Sequence, residues 1–177
     1  MKSGIILISE LHGDLREQVL EIQRRFDPKL AKTQAPHVTI TGSSGMGPFP
    51  ARTSKSALRE ALEPIARLTE PMTLPFLPPM RFMQSNVVVL PLDPNGPLRA
   101  LHERIKKSGL RYEPARFTYT PHVTLSFFRE LSHSDEKALL SLRIKGPVLV
   151  DHIAAHKTVG LVNTTEVLRL PLGANPA

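Results

Sequence analysis

Apolar and polar positions along the chain alternate between two periods. Gly4 to Ser9 carries Ile5, Ile6, Leu7 and Ile8, a short run with the length and content of a buried strand. From Asp14 to Phe26 the apolar side chains fall at Leu15, Val19, Ile22 and Phe26, one stripe of a helix that Pro28 closes. Pro36 precedes His37-Val38-Thr39-Ile40-Thr41, which alternates strictly and reads as a strand. A flexible loop follows, Gly42-Ser43-Ser44-Gly45-Met46-Gly47-Pro48. Lys55 to Leu68 is a helix with Leu58, Leu62 and Ile65 inward, capped by Thr53 or Ser54. Pro64 inside it predicts a kink or a break. Met72 to Leu77 is a further strand.

The second half runs through the same order. Asn86 to Leu92 is a buried strand, and Pro97 to Ser108 a helix carrying Leu98, Leu101 and Ile105 and ended by Gly109. Pro121 precedes a second alternating stretch, His122-Val123-Thr124-Leu125-Ser126-Phe127-Phe128. Ser134 caps a short helix to about Leu142, and Pro147 to His156 and Thr165 to Leu170 are closing strands. Strand, helix, Pro-His-Val-Thr-apolar strand, helix, strand therefore occurs twice. The pattern predicts an α+β fold of two pseudo-twofold-related lobes, approximately 1–80 and 81–177. Mixed or antiparallel sheets would face a central cleft, with helices outside.

Composition narrows the chemistry. At 177 residues the chain is one domain. It has no cysteine, which excludes disulfides, thiol nucleophiles, zinc fingers and iron–sulfur clusters. Lys and Arg number 23 against 16 acidic residues, a net charge of +7 that favours phosphate-bearing partners. No run approaches the roughly 18 apolar residues of a membrane span. The N-terminal apolar run lacks the length of a signal segment, so a cytoplasmic monomer without membrane contact is the default expectation.

His37-Val38-Thr39-Ile40 and His122-Val123-Thr124-Leu125 carry the chemistry. On each strand His and Thr share one face, and the apolar residues point to the core. If two such polar faces meet, two imidazoles and two hydroxyls line one cleft. One histidine can take a proton from water while the other gives one to the leaving oxygen. The threonine hydroxyls can hold the non-bridging phosphate oxygens. No carboxylate lies inside either motif, so no metal or other cofactor is expected.

These paired motifs resemble those of the 2H phosphoesterase superfamily, within it the 2′-5′ RNA ligase-like and cyclic phosphodiesterase proteins. The resemblance implies a bilobal α+β fold and metal-independent hydrolysis of nucleotide or RNA 2′,3′-cyclic phosphates. RNA 2′-5′ ligation and non-catalytic binding of RNA ends are the alternatives. Many relatives follow the first motif with Arg-Phe-apolar-Gly; here the chain reads Thr41-Gly42-Ser43-Ser44-Gly45. Many carry an Arg soon after the second motif, and Arg129 is the candidate substitute. Tyr119 joins it as a candidate substrate contact, from a stretch with Tyr112, Arg116 and Phe117 that could stack a base.

Other features read as structural. His12, His102 and His133 are expected on loops or a helix surface, solvated. His152 and His156 fall on a strand, too far apart for one ion, with His156 a candidate at the cleft mouth. The Gly42 to Gly47 loop is expected to form a mobile rim beside His37. Lys106-Lys107 compensates a helix dipole.

Overall fold

The computed structural model describes residues 3–83, 85–160 and 163–173. The first half runs β1 (Gly4–Glu10), α1 (Gly13–Phe26), α2 (Pro28–Thr33), β2 (His37–Thr41), β3 (Phe49–Pro50), α3 (Lys55–Arg67) and β4 (Met72–Leu74). The second runs β5 (Met80–Arg81), β6 (Val88–Pro91), α4 (Pro97–Lys106), β7 (His122–Ser126), α5 (His133–Leu140), β8 (Val148–Val150), β9 (His152–Val159) and β10 (Asn163–Pro171). Eight strands form one sheet in the order β10-β9-β1-β2-β7-β6-β5, with β3 beside β1; β4 and β8 form a second, two-stranded sheet. Every pairing among the described residues is antiparallel. The α+β class is as the pattern predicts.

The same order of elements recurs in the two halves, with some shared local detail. β1-α1-β2-α3-β4 is matched by β6-α4-β7-α5-β8, and β4 pairs with β8. Pairing skips Ile40 in β2 and, at the equivalent place, Leu125 in β7. The Leu11 N–H donates to the Pro36 carbonyl, and that of Leu92 to Pro121, each at 2.9 Å. Ser54 caps α3 and Ser132 caps α5, each also bonded to the serine two residues on. The halves are not separate in space, however. β9 and β10 return to flank β1, and β2 meets β7 through the pair Val38 and Val123.

Several local expectations need correction. Pro28 does not only end α1; it opens α2, where its missing N–H costs nothing, and Asp27 caps that helix. α3 runs without a break through Pro64 to Arg67, with the ring on the exposed face of the last turn. Ser132, not Ser134, caps α5. The strand expected from Pro147 to His156 splits at Asp151, where the chain passes from the small sheet to the large one.

The core lies between the sheet and the helices. Val38, Ile40, Val123 and Leu125 are fully buried and pack with Val19, Phe26, Leu98, Leu101 and Ile105 from α1 and α4. At roughly 1.5–3 kcal/mol per buried aliphatic side chain, this face fixes the register of β2 and β7. The opposite face, carrying the histidines, is set as a consequence.

Candidate active site

β2 and β7 share one burial pattern. His37, Thr39, His122 and Thr124 are half-buried, and the residues between them are buried. The antiparallel pair Val38–Val123 puts His37 across from Thr124 and Thr39 across from His122. Cross-strand neighbours on one face lie about 5 Å apart, so the four polar side chains form a compact square. The sequence-predicted quartet is therefore brought together on one face of the sheet.

Both imidazoles are held alike. His37 Nδ1–H donates to the Ala35 carbonyl at 2.8 Å, and His122 Nδ1–H to the Thr120 carbonyl at 2.7 Å. A carbonyl only accepts, so this fixes the tautomer and leaves each Nε2 free to exchange a proton. The strands are braced from behind. Gln23 of α1 donates to the Thr124 carbonyl, and His102 of α4 to the Ile40 carbonyl, both at 2.8 Å.

Burial pulls the His37 imidazole down to about 4, and the neighbouring His156 and His122 push the same way. The Ala35 carbonyl and the Glu10 carboxylate oppose them. His122 is also lowered by burial, against its bond to the Thr120 carbonyl. Both rings are thus neutral at neutral pH before an anion arrives.

Beside His37 the wall is charged. Glu10 is its register partner on β1. Arg169 of β10 pairs with both Glu10 and Glu166. Burial acts to raise Glu10, but its bond and charge contact with Arg169 hold its carboxyl below the usual range. His156 lies between the two acids, 4.0 Å from Glu10 and 3.7 Å from Glu166. Its ring is buried with neither nitrogen hydrogen-bonded. Among the described residues two groups have ligand-like spacing, His12-Asp151-His152 and Glu10-His156-Glu166. In the first, His152 Nδ1–H donates to Asp151 at 2.6 Å and its Nε2 accepts the Glu10 N–H, so its ring is already committed. In the second, the Arg169 guanidinium already neutralises the carboxylates a cation would need.

Other expectations are not met. Tyr119 is in the core, only 6% exposed, stacked on His102 with ring centroids 3.9 Å apart. The cause is the loop expected to be a mobile rim. Gly45 and Gly47 donate to the Phe117 and Glu113 carbonyls, and Ser44 accepts the Thr120 N–H, so the two segments close over Tyr119. At Gly45, φ is +72° and a Cβ would lie 2.4 Å from the His102 ring, which requires glycine there. His102, expected on the surface, is fully buried. Arg129 is held by the Phe26 carbonyl and Asp135, at 3.4 and 3.5 Å, and neither partner belongs to the histidine square. Glu10, Arg169 and Phe82, whose ring meets His122 edge-on, were not singled out by the sequence pattern.

The two His-x-Thr strands lie side by side in one antiparallel sheet, the paired motifs by which the chain resembles the two-histidine phosphoesterases. Residues 11–160 match the family model of the 2′-5′ RNA ligase superfamily, and the chain belongs to that superfamily. A putative phosphoesterase of Bacillus pumilus is 30% identical over 147 residues, covering 81% of this chain and 80% of that protein. Escherichia coli LigT in its apo form shares the fold with a TM-score of 0.59 at 19% identity, over 96% of this chain and 97% of LigT. A further phosphoesterase crystal structure matches at 0.56 and 16%, over 97% of this chain and 99% of that one. No helix among the described residues is long and apolar enough to cross a membrane.

Proposed function

We propose that this chain is a metal-independent phosphodiesterase that opens 2′,3′-cyclic phosphates of nucleotides or RNA ends. The observation that carries the reading is the matched fixing of both imidazoles through Nδ1–H, with both Nε2 atoms left over on one polar face. In the reaction, a water oxygen bonds to phosphorus while its proton passes to the Nε2 of one neutral imidazole. The bond from phosphorus to one ribose oxygen breaks on the opposite side. That oxygen takes a proton from the other histidine, charged at that stage. Thr39 and Thr124 hydroxyls donate to the non-bridging oxygens, where negative charge accumulates. The product is a nucleotide monoester, of one isomer because the acid reaches one oxygen. E. coli LigT complexes with 3′-AMP, ATP and phosphate support nucleotide phosphate as the ligand class.

The test is turnover of a 2′,3′-cyclic nucleotide. His37→Ala or His122→Ala should each cost about 10²–10⁴-fold in kcat, and the double variant little more. Thr39→Ala and Thr124→Ala should cost less, about tenfold to a few hundredfold. Near-wild-type turnover by His122→Ala overturns the assignment. Protection of the cyclic phosphate by the wild-type protein would instead mark a binder of RNA ends.

A further inference from the structure

The motifs are symmetric, but the walls that flank them are not. Glu10 on β1 is the register partner of His37, and Pro91 on β6 is that of His122. These positions are equivalent under the pseudo-twofold. Outward from His37 the same face continues to His156 on β9 and to Arg169 and Glu166 on β10. Outward from Thr124 it continues to Val89, which pairs with Met80 on β5. Phe82 lies two residues beyond Met80, hence on the same face. Its ring meets His122 edge-on, with centroids 5.0 Å apart. Among the described residues, one wall is therefore ionic and the other apolar.

The apolar wall is also partly exposed. Met80 is 41% exposed. Arg81, of opposite parity, leaves by the other face and binds both carboxylate oxygens of Glu136 on α5, at 3.0 and 3.1 Å. It also donates to the Ser85 carbonyl at 2.8 Å. A partly exposed aromatic and thioether surface next to a phosphate-handling imidazole suits a flat, apolar group attached to that phosphate.

We propose that Phe82, with Met80, forms a nucleobase platform. The base of the reacting nucleotide lies on the His122 side, which aims the rest of the sugar–phosphate toward Glu10 and Arg169. This gives a pseudo-symmetric pair of histidines one substrate orientation. The inference rests on the phosphodiesterase reading for its ligand class, and its test does not depend on turnover.

Binding of adenosine 2′-monophosphate and of inorganic phosphate is measured by calorimetry for wild type, Phe82→Ala, Phe82→Leu and Phe82→Tyr. Phe82→Leu keeps apolar packing against His122 and removes the aromatic plane, so it serves even if Phe82→Ala fails to fold. Loss of the ring should weaken the nucleotide about 5- to 150-fold more than it weakens inorganic phosphate, the range spanned by one base–aromatic contact. Phe82→Tyr should restore nucleotide binding. Equal losses for both ligands would mean that Phe82 only supports His122 and would overturn the platform. A wild type that binds the nucleotide in a Phe82-dependent way yet turns over no cyclic phosphate would overturn the enzymatic reading and leave the platform standing.

Discussion

Anion binding should move the protons of this site, and the size of the effect follows from its surroundings. In the free protein burial holds His37 at about 4. A phosphate monoanion about 4 Å from the ring, at an effective dielectric of about 20, stabilises the imidazolium by about 4 kcal/mol. That corresponds to about 3 pH units, enough to bring the ring from about 4 to the neutral range. Phosphate should therefore bind with proton uptake, and more tightly as pH falls from 8 to 5. The rate profiles should separate accordingly. kcat/KM reports the free protein, so its bell should peak on the acid side of 6.5; kcat reports the complex, so its bell should peak higher, near neutrality. The assay is a nitrogen-15 NMR titration of the His37 ring with and without inorganic phosphate, with His37→Asn for assignment. A free His37 titrating near 6.5, or one whose midpoint phosphate leaves in place, would refute the reasoning.

Cyclic-nucleotide turnover should survive exhaustive chelation, because Arg169 already occupies the carboxylates of the group nearest His37; loss with EDTA and recovery with a divalent ion would reverse this. Acid should destabilise the fold: His37, His102, His122 and His156 are all lowered from 6.5 in the folded state, so the unfolded chain takes up protons first as pH falls, and stability measured by urea unfolding should drop below about 6.5. Asp27→Ala should cost about 3–5 kcal/mol, because its buried carboxylate accepts the N–H groups of Leu30, Phe127 and Phe128. Thermal melting should show this as a fall of about 6–20 °C; an unchanged melting temperature would mean that water replaces all three bonds.

The quartet was legible because alternation is a property of one strand. Pro36 and Pro121, the parity of His and Thr, and the apolar residues between them are all local. Walls made by neighbouring strands are not. Nothing in Ile8-Ser9-Glu10 says that β1 lies beside β2, and β10 carries Arg169 to the site only through β9. β5 is two residues long, too short to show the period that places Phe82 beside His122. His102 is different, since its signal was available. Leu98, Leu101, His102 and Ile105 fit the three–four spacing of a single buried helical stripe, and burial follows from it. Tyr119 could not be read so, because its environment is made by loops that meet only in the folded chain.

The position of β1 in the middle of the sheet bears on how the molecule assembles. Ile5 has Lys157 as its register partner, and Leu7 has Ala155, so the edge of an early strand is closed only by a late one. Long loops must be ordered before those contacts form, which places folding among the slower, topology-limited cases. During synthesis on the ribosome β1 can pair with β2 while its other edge stays open. The Ile5-to-Ile8 segment is then an apolar edge available to other nascent chains. The strand that supplies Glu10 to the histidine face is thus also the segment through which an incompletely made chain would aggregate.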